Sequence, residues 1–327
     1  MHNFAPGARK SELRLKRTLS IAVVLLAIAA SALSVLLPGN GGFPAPLDRI
    51  LLLDAARAGK RLVAVGERGR ILISDDDART WRYASSPTEA TLTAVCFFDQ
   101  THGWAVGHDG VILRSRDGGA SWQLTRFAPE DNAPLLDVWF QDAAHGFAIG
   151  AYGTALETSD GGSTWNPIRV GEGDRHLNAI AGTPDGRILI VGESGTVLRS
   201  EDGGRIWRKL ASPYVGSFFG VVVLPDGSPF IFGMRGNTFR GAPDGQSWRA
   251  VKTGTDASLQ GGDVTADGEI FLVGGEGAIL ASRDGGESLS LMRFPGRKAF
   301  AAVVPGADGN LFLFGEGGVS RLALGGG

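Results

Sequence analysis

A single cysteine, Cys96, stands among 327 residues. It cannot form a disulfide within the chain, so no disulfide framework stabilises the fold. With only five scattered histidines beside it, no Cys-rich zinc module can be built either. Charge is also in short supply: 20% of the residues are charged, the net charge is −2, and 43% are hydrophobic. That balance excludes an intrinsically disordered chain. What is abundant is glycine, at 50 residues, about twice its usual share of roughly 7%. Glycine does not recur at every third position, which excludes collagen. An excess of glycine without low complexity points to many tight turns and hence many short strands.

The N-terminus reads as a targeting segment. Residues 1–18 hold five basic side chains and one acidic one, and a 19-residue apolar run follows from Leu19 to Leu37, stopped by Pro38-Gly39. A helix of that length spans ~28 Å, about one hydrocarbon core. The basic flank keeps 1–18 cytoplasmic by the positive-inside rule, which exports the rest. The preferred reading is an uncleaved anchor over 19–37, because apolar character continues to Leu37. A cleavable signal peptide, with Ala30-Ser31-Ala32 as the cleavage site, is the rival. No cysteine follows the run, which argues against a lipoprotein. Both readings place the remainder on the periplasmic or lumenal side, tethered or released. Without residues 1–18 the remainder carries a net charge of −6, the wrong sign for a nucleic-acid partner.

After a linker at 38–47 the chain repeats itself. Glycine pairs spaced G-x-x-G fall at Gly66/Gly69, Gly107/Gly110, Gly150/Gly153, Gly192/Gly195, Gly233/Gly236, Gly274/Gly277 and Gly315/Gly318, with periods of 41, 43, 42, 41, 41 and 41. A short β-type run precedes each pair (LVAVG, GWAVG, GFAIG, ILIVG, PFIFG, IFLVG, LFLFG) and another follows it. Two such runs joined by two residues between glycines predict a hairpin. A further strand precedes each hairpin, as in LTAVCFF and LLDVWFQ. Four antiparallel strands in about forty residues describe a propeller blade. Residues 48–327 thus predict an all-β, seven-bladed β-propeller of four-stranded blades. Blade seven runs out after its third strand, so it is three-stranded or closed thinly by residues 40–47, where Pro44 and Pro46 suit only an edge.

Between the third and fourth strands most repeats carry S/T-x-D-x-G-x-x-W, as at Ser115-Asp117-Gly119-Trp122, Thr158-Asp160-Gly162-Trp165 and Ser200-Asp202-Gly204-Trp207. Repeat one has Ala78 in place of the glycine, repeat six has Leu289 in place of the tryptophan, repeat five is irregular, and repeat seven has no box. The aspartate can accept main-chain N–H bonds across the turn, the glycine allows φ > 0, and the tryptophan can bury a large area between blades. The box is therefore read as a folding element, and the acid run Asp75-Asp76-Asp77 as part of it and not a calcium site.

These boxes resemble the Asp-box (BNR) repeats of sialidases, sortilins and some glycosidases. With D-x-x-H-G-W-A-V-G-H-D-G-V-I-L-R-S-R-D-G-G-A-S-W over 99–122 and M-R-G-N-T-F-R over 234–240, the pattern is most similar to the photosystem II assembly and stability factor family, which has non-photosynthetic bacterial relatives. The resemblance implies a protein-binding accessory factor for a membrane complex. Its partner would be a photosystem reaction-centre subunit or, through the non-photosynthetic relatives, an RND-type transporter.

A sialidase-like or other carbohydrate-active function, or a lectin, is the alternative on the same scaffold. Sialidases are known for a tyrosine nucleophile and an R-I-P motif. No R-I-P occurs here, and no Tyr–Glu pair is evident around Tyr83, Tyr152 and Tyr214. No G-x-S-x-G, H-E-x-x-H or Walker loop is present. The chain is read as not an enzyme, with no catalytic, metal or cofactor residues assigned. A third reading is a structural domain that engages a complex through the propeller edge.

In a four-stranded blade, the turns between strands two and three share a face with the blade-to-blade loops, and the Asp boxes take the opposite face. Binding is expected on the first of these faces, because loops on a rigid scaffold commonly carry it. The candidate contacts are Arg68, His108, Tyr152, Arg175, His176, Tyr214 and Arg235, with Arg68, Tyr152 and Arg235 foremost because Arg and Tyr are enriched at binding hot spots. His102 and His145, at the same step of blades two and three, are read as turn residues and not as a metal pair. Cys96, inside TAVCFF, is read as a buried small hydrophobe.

Overall fold

The structure, a computed structural model, describes residues 49–183 and 185–324. The basic segment 1–18, the run 19–37 and the linker 38–47 lie outside the described residues, as do the anchor, the signal peptide and the closing strand expected of them. Among the described residues no helix is long and apolar enough to cross a membrane.

The described chain forms seven antiparallel sheets in sequence order. Six have four strands, each paired with its chain neighbours, and the seventh has three. Blade one runs through Leu52–Ala58, Arg61–Gly66, Ile71–Ser74 and Arg82–Tyr83. Blade seven runs through Phe300–Pro305, Asn310–Gly315 and Gly318–Ala323, with no fourth strand among the described residues.

The second strands explain why the repeats read as unbroken apolar runs and not as alternating ones. Gly103–Gly107, Ile188–Gly192 and Ile270–Gly274 are buried at every position. Both faces of each sheet are covered by neighbouring blades, so side chains pointing either way leave water. Full burial of each Val, Ile or Phe contributes roughly 1.5–3 kcal/mol.

Seven separate hydrophobic clusters result, one at each blade-to-blade seam. Val63, Val65, Ile71 and Ile73 meet Leu92, Val95, Leu113 and Trp122 between blades one and two. Ile50, Leu52, Leu62 and Leu72 meet Ala302, Val304, Phe312 and Phe314 between blades one and seven. This last cluster closes the ring. Trp81 adds an edge-on contact to Phe314 at 5.9 Å, and a single β-bridge joins Leu51 to Glu316. Among the described residues, then, blades seven and one are joined by packing across the seam and this one bridge.

Arginines tie one blade to the Asp box of the next. Arg61 donates to the carbonyls of Asp117 and Gly118 at 3.2 and 3.1 Å, and Arg240 to that of Gly285 at 2.8 Å. At the last seam the direction reverses. Arg57 of blade one donates from Nε and Nη2 to the Pro305 carbonyl of blade seven at 3.3 and 3.0 Å, while Asp77 of its own box holds Nη2 at 3.0 Å.

The boxes fold as expected. In blade two the Ser115 hydroxyl donates to Asp117 at 2.8 Å and accepts the Gly119 N–H at 2.8 Å. Asp117 also accepts the N–H and hydroxyl of Ser121 at 2.9 and 2.6 Å. The same pattern recurs around Asp76, Asp160 and Asp284, and around Asp202 without the last hydroxyl, because Ile206 stands there and gives only its N–H. The hydrogen bonds that Asp76 and Asp160 accept lower their pKa to about 2. Where blade one lacks the glycines, Asp77 and Ala78 take the left-handed conformation themselves, at φ 59° and 61°.

Candidate functional site

Each G-x-x-G pair has two different physical causes. The first glycine is extended and leaves room for main chain. A Cβ on Gly107 would lie 2.0 Å from the Thr91 carbonyl, which accepts the His108 N–H at 2.9 Å. This contact pins the turn to the preceding blade-to-blade loop. The second glycine is a centre of the turn and not its flank, as the sequence had suggested. Arg70 N–H returns to the Glu67 carbonyl at 3.1 Å across Arg68 (φ 54°) and Gly69 (φ 64°), the geometry of a type I′ hairpin.

That geometry forces one side chain outward in each of blades one to six. The first central residues are Arg68, Asp109, Tyr152, Ser194, Arg235 and Glu276 at φ 54–57°; in blade seven Gly315 pairs directly with Gly318 across Glu316 and Gly317. The six non-glycine residues are all exposed. Only Asp109 is of the Asn/Asp/Gly type that a I′ turn prefers at this position. The others hold left-handed backbone at an intrinsic cost of about 1–2 kcal/mol each.

The expected contacts sort differently on this face. Arg68, Arg175 and Arg235 are exposed and have no side-chain partner among the described residues. Tyr152 is 60% exposed, and its ring lies 5.1 Å from that of His176, the one pair of candidates brought together. The His176 N–H donates to Glu193 at 3.3 Å. His108 is half-buried and desolvation lowers its pKa, which favours neutral imidazole. Tyr214 is turned inward, 6.0 Å from Phe218 and 6.3 Å from Phe239, and belongs mainly to the core. Phe127 and Val215, at 53% and 89% exposure in the adjoining loops, were not singled out from sequence.

None of the seven candidates lines the central channel. The channel, about 1190 Å³, is lined chiefly by the first strands of all seven blades and opens past Asp75–Asp77 on the Asp-box face. Its polar groups were missed from sequence. Asp54 accepts the N–H of Ala55 and, across a seam, of Val95, both at 2.8 Å. Asp137 repeats the arrangement with Val138 and Ile180 at 2.8 Å. Thr93 and Asn178 donate across the intervening seams to the carbonyls of Leu135 and Phe218, each at 2.7 Å. Burial raises Asp54 to about 8, Asp137 to about 7 and Asp263 to about 6. The available signal was an acid inside an apolar first strand (LLDAARA, LLDVWF).

Raised carboxyls in a channel are a common mark of a glycosidase acid. Here, however, both oxygens of Asp54 and of Asp137 already accept main-chain N–H groups. They act as staples between blades one and two and between three and four. Cys96 also faces this channel. It is half-buried, packed on the core between blades two and three, and burial raises its thiol pKa further. The residue expected to be a buried small hydrophobe is thus half-buried and lines the channel. His102 and His145 bond Asp99 and Asp142 at 2.8 and 2.9 Å within their own turns.

Comparison with known proteins agrees with this architecture. The Photosystem II assembly protein Ycf48 of Thermosynechococcus vestitus is 38% identical over 47 residues, 14% of either chain. The chloroplastic Photosystem II stability/assembly factor HCF136 of Cyanidioschyzon merolae is 32% identical over 87 residues, 25% of this chain and 20% of that one. These alignments cover a fifth or less of the relatives' own length. A solved structure described as YCF48 bound to D1 peptide superposes with a TM-score of 0.69 at 20% identity, over 84% of this chain and 92% of that one. At that identity the likeness shows the fold. The family model described as Photosynthesis system II assembly factor YCF48 matches residues 73–135 and 127–251. With more than half of its length so matched, the chain belongs to that family and is a photosystem II assembly factor-like Asp-box propeller.

Proposed function

We propose that the propeller is a non-enzymatic docking protein that binds a membrane protein and aids its assembly or stability. The ring of type I′ turns is its contact surface. The observation that carries this reading is the set of exposed, left-handed Arg68, Tyr152 and Arg235 on one face. Such strain is retained where a side chain is needed outside the fold. The family supports a photosystem reaction-centre subunit as partner, and the D1 peptide bound to the related YCF48 is of that kind. Tethering through residues 19–37 on the periplasmic or lumenal side would hold the face against such a partner. The staples on Asp54 and Asp137 weigh against the carbohydrate-active alternative.

Crosslinked membranes provide the test. Wild-type protein recovers a discrete integral membrane partner, and the Arg68→Glu/Arg235→Glu variant loses it. No specific recovery by wild type, or equal recovery by both, would sink the proposal. The identity of the recovered protein separates a reaction-centre subunit from an RND-type exporter.

A further inference from the structure

Blade four gives up one hydrogen bond of its Asp box. In blades one, two, three and six the residue just before the Trp position is Ser or Thr, and it gives both its N–H and its hydroxyl to the box aspartate. The pairs are Thr80 on Asp76, Ser121 on Asp117, Thr164 on Asp160 and Ser288 on Asp284, and each hydroxyl donates at 2.6 Å. Blade four has Ile206 there. Its N–H reaches Asp202 at 2.9 Å, but it has no hydroxyl to add, and its side chain is 58% exposed. The fold loses a charge-assisted hydrogen bond and leaves an aliphatic side chain in water, and neither change favours folding.

Beside Ile206 the charges do not balance. Arg208 and Lys209 form the fourth strand of the blade, are exposed, and make no ion pair among the described residues. Arg208 lies directly across from Arg199, a like-charge pair that destabilises a sheet unless an anion joins it. One seam further on, the anion is present. Arg249 lies across from Arg240 in the same way, and Glu287 in the box of blade six reaches the two at 2.9 and 3.9 Å. The box of blade five has Gln246 at that place, two residues before Trp248 as Glu287 is two before Leu289. The nearby acids are otherwise engaged. Glu201 pairs with Arg199 at 3.2 Å and Asp185 with Arg187 at 3.0 Å, and Asp244 accepts the Gln246 N–H at 2.9 Å. Arg205 is offset by Asp202 of its own box. Arg208 and Lys209 remain as surplus cations next to the exposed isoleucine.

We propose that this rim of blade four rests on a bilayer containing anionic phospholipid, with Ile206 in the interface and Arg208 and Lys209 on the headgroup phosphates. The phosphate oxygens supply the charge that Glu287 supplies one seam further on. An acidic protein segment would satisfy the two cations alone, whereas a bilayer also buries the isoleucine that stands out from the turn. The rim belongs to the Asp-box side, so this contact leaves the ring of turns uncovered. It stands whether or not that ring binds a membrane protein.

Photocrosslinking tests this on the full chain. The chain is added to phosphatidylcholine vesicles with or without phosphatidylglycerol, each containing a lipid with a diazirine near its headgroup. Mass spectrometry counts adducts on residues 203–210, so attachment through any other part of the chain does not enter the readout. Adducts should form with phosphatidylglycerol and fall at least ~5-fold without it. Arg208→Gln and Lys209→Gln should each lower them about 5-fold. Ile206→Ser should lower them about 10-fold, and Ile206→Leu should keep them. Ile206→Ser should also leave Tm unchanged or higher, because a hydroxyl returns to Asp202. Inorganic phosphate and poly-glutamate, each matched to the vesicles in charge, should displace little. No adducts in this stretch, equal adducts on neutral vesicles, or full adducts with Ile206→Ser would each overturn the proposal. So would displacement by poly-glutamate, which would assign the patch to an acidic polypeptide, or by free phosphate, which would make it a simple anion site. A lower Tm for Ile206→Ser would show that the side chain serves the fold, and would overturn it as well.

Discussion

Replacing Tyr152 by glycine should make this protein more stable and worse at its task. Tyr152 sits at φ 56°, ψ 33°, where a non-glycine residue gives up roughly 1–2 kcal/mol. Glycine removes that strain but loosens the unfolded chain, which costs about 0.4–1 kcal/mol. The ring contact with His176 is exposed and its loss subtracts a few tenths of a kcal/mol more. The net gain is about 0.5 kcal/mol. At Arg68 and Arg235, which lack side-chain partners among the described residues, it is nearer 0.8 kcal/mol each. The three turns lie in different blades, so the gains should add to about 2 kcal/mol. In a domain of this size that raises Tm by about 3–4 °C. Differential scanning calorimetry reads the gain, and recovery of the membrane partner after crosslinking reads the loss. A triple variant that is stabilised yet still recovers the partner would show that these side chains only fill turns. A triple variant that is destabilised would refute the strain argument itself.

Stability should fall as pH rises from 5 to 9. Asp54, Asp137 and Asp263 have folded pKa values raised to about 8, 7 and 6, so the folded state holds their protons more tightly than the unfolded one. Their contribution is complete below the ordinary carboxylate pKa and is lost as pH passes through those values. At about 1.4 kcal/mol per unit the effect reaches several kcal/mol. Asp54→Asn and Asp137→Asn should flatten the dependence of Tm on pH, and an unchanged slope would contradict it. At the acid end the box carboxylates act oppositely, because the lowered pKa of Asp76 and Asp160 means stability present above pH 4 and lost as pH falls toward 2. Asp117→Ala should cost about 2 kcal/mol by denaturant titration, since three hydrogen bonds end on that carboxylate. EDTA should leave Tm unchanged, and a chelator-dependent Tm would revive a metal role for the boxes. Arg57→Ala should also cost about 2 kcal/mol. It should speed amide exchange selectively in 52–58 and 300–305, the two sides of the seam it bridges, and uniform acceleration would count against a local latch.

The number of blades, their order and the box turns were legible in the sequence because each rests on local chemistry repeated at a fixed period. A strand buried on both faces must be apolar throughout, as GWAVG is, and a type I′ turn needs a residue such as Gly110 at its second centre. The resemblance carried by 99–122 pointed correctly to the family. What the period could not show are relations between blades. Asp54 and Val95 are neighbours only because the ring sets one first strand beside the next, and Tyr214 left the candidate surface because Phe218 and Phe239 offered its ring an apolar site. Arg68, Tyr152 and Arg235 were visible as residue types, but their shared left-handed backbone was not. Sequence alone determined that seven sheets would form, because strand and turn propensities act between near neighbours along the chain. Only the tertiary structure decided which side chains line the channel and which stand out on the face, because those depend on how separate strands and loops pack, as between Asp54 and Val95 across a seam or Tyr214 and Phe239 within a blade.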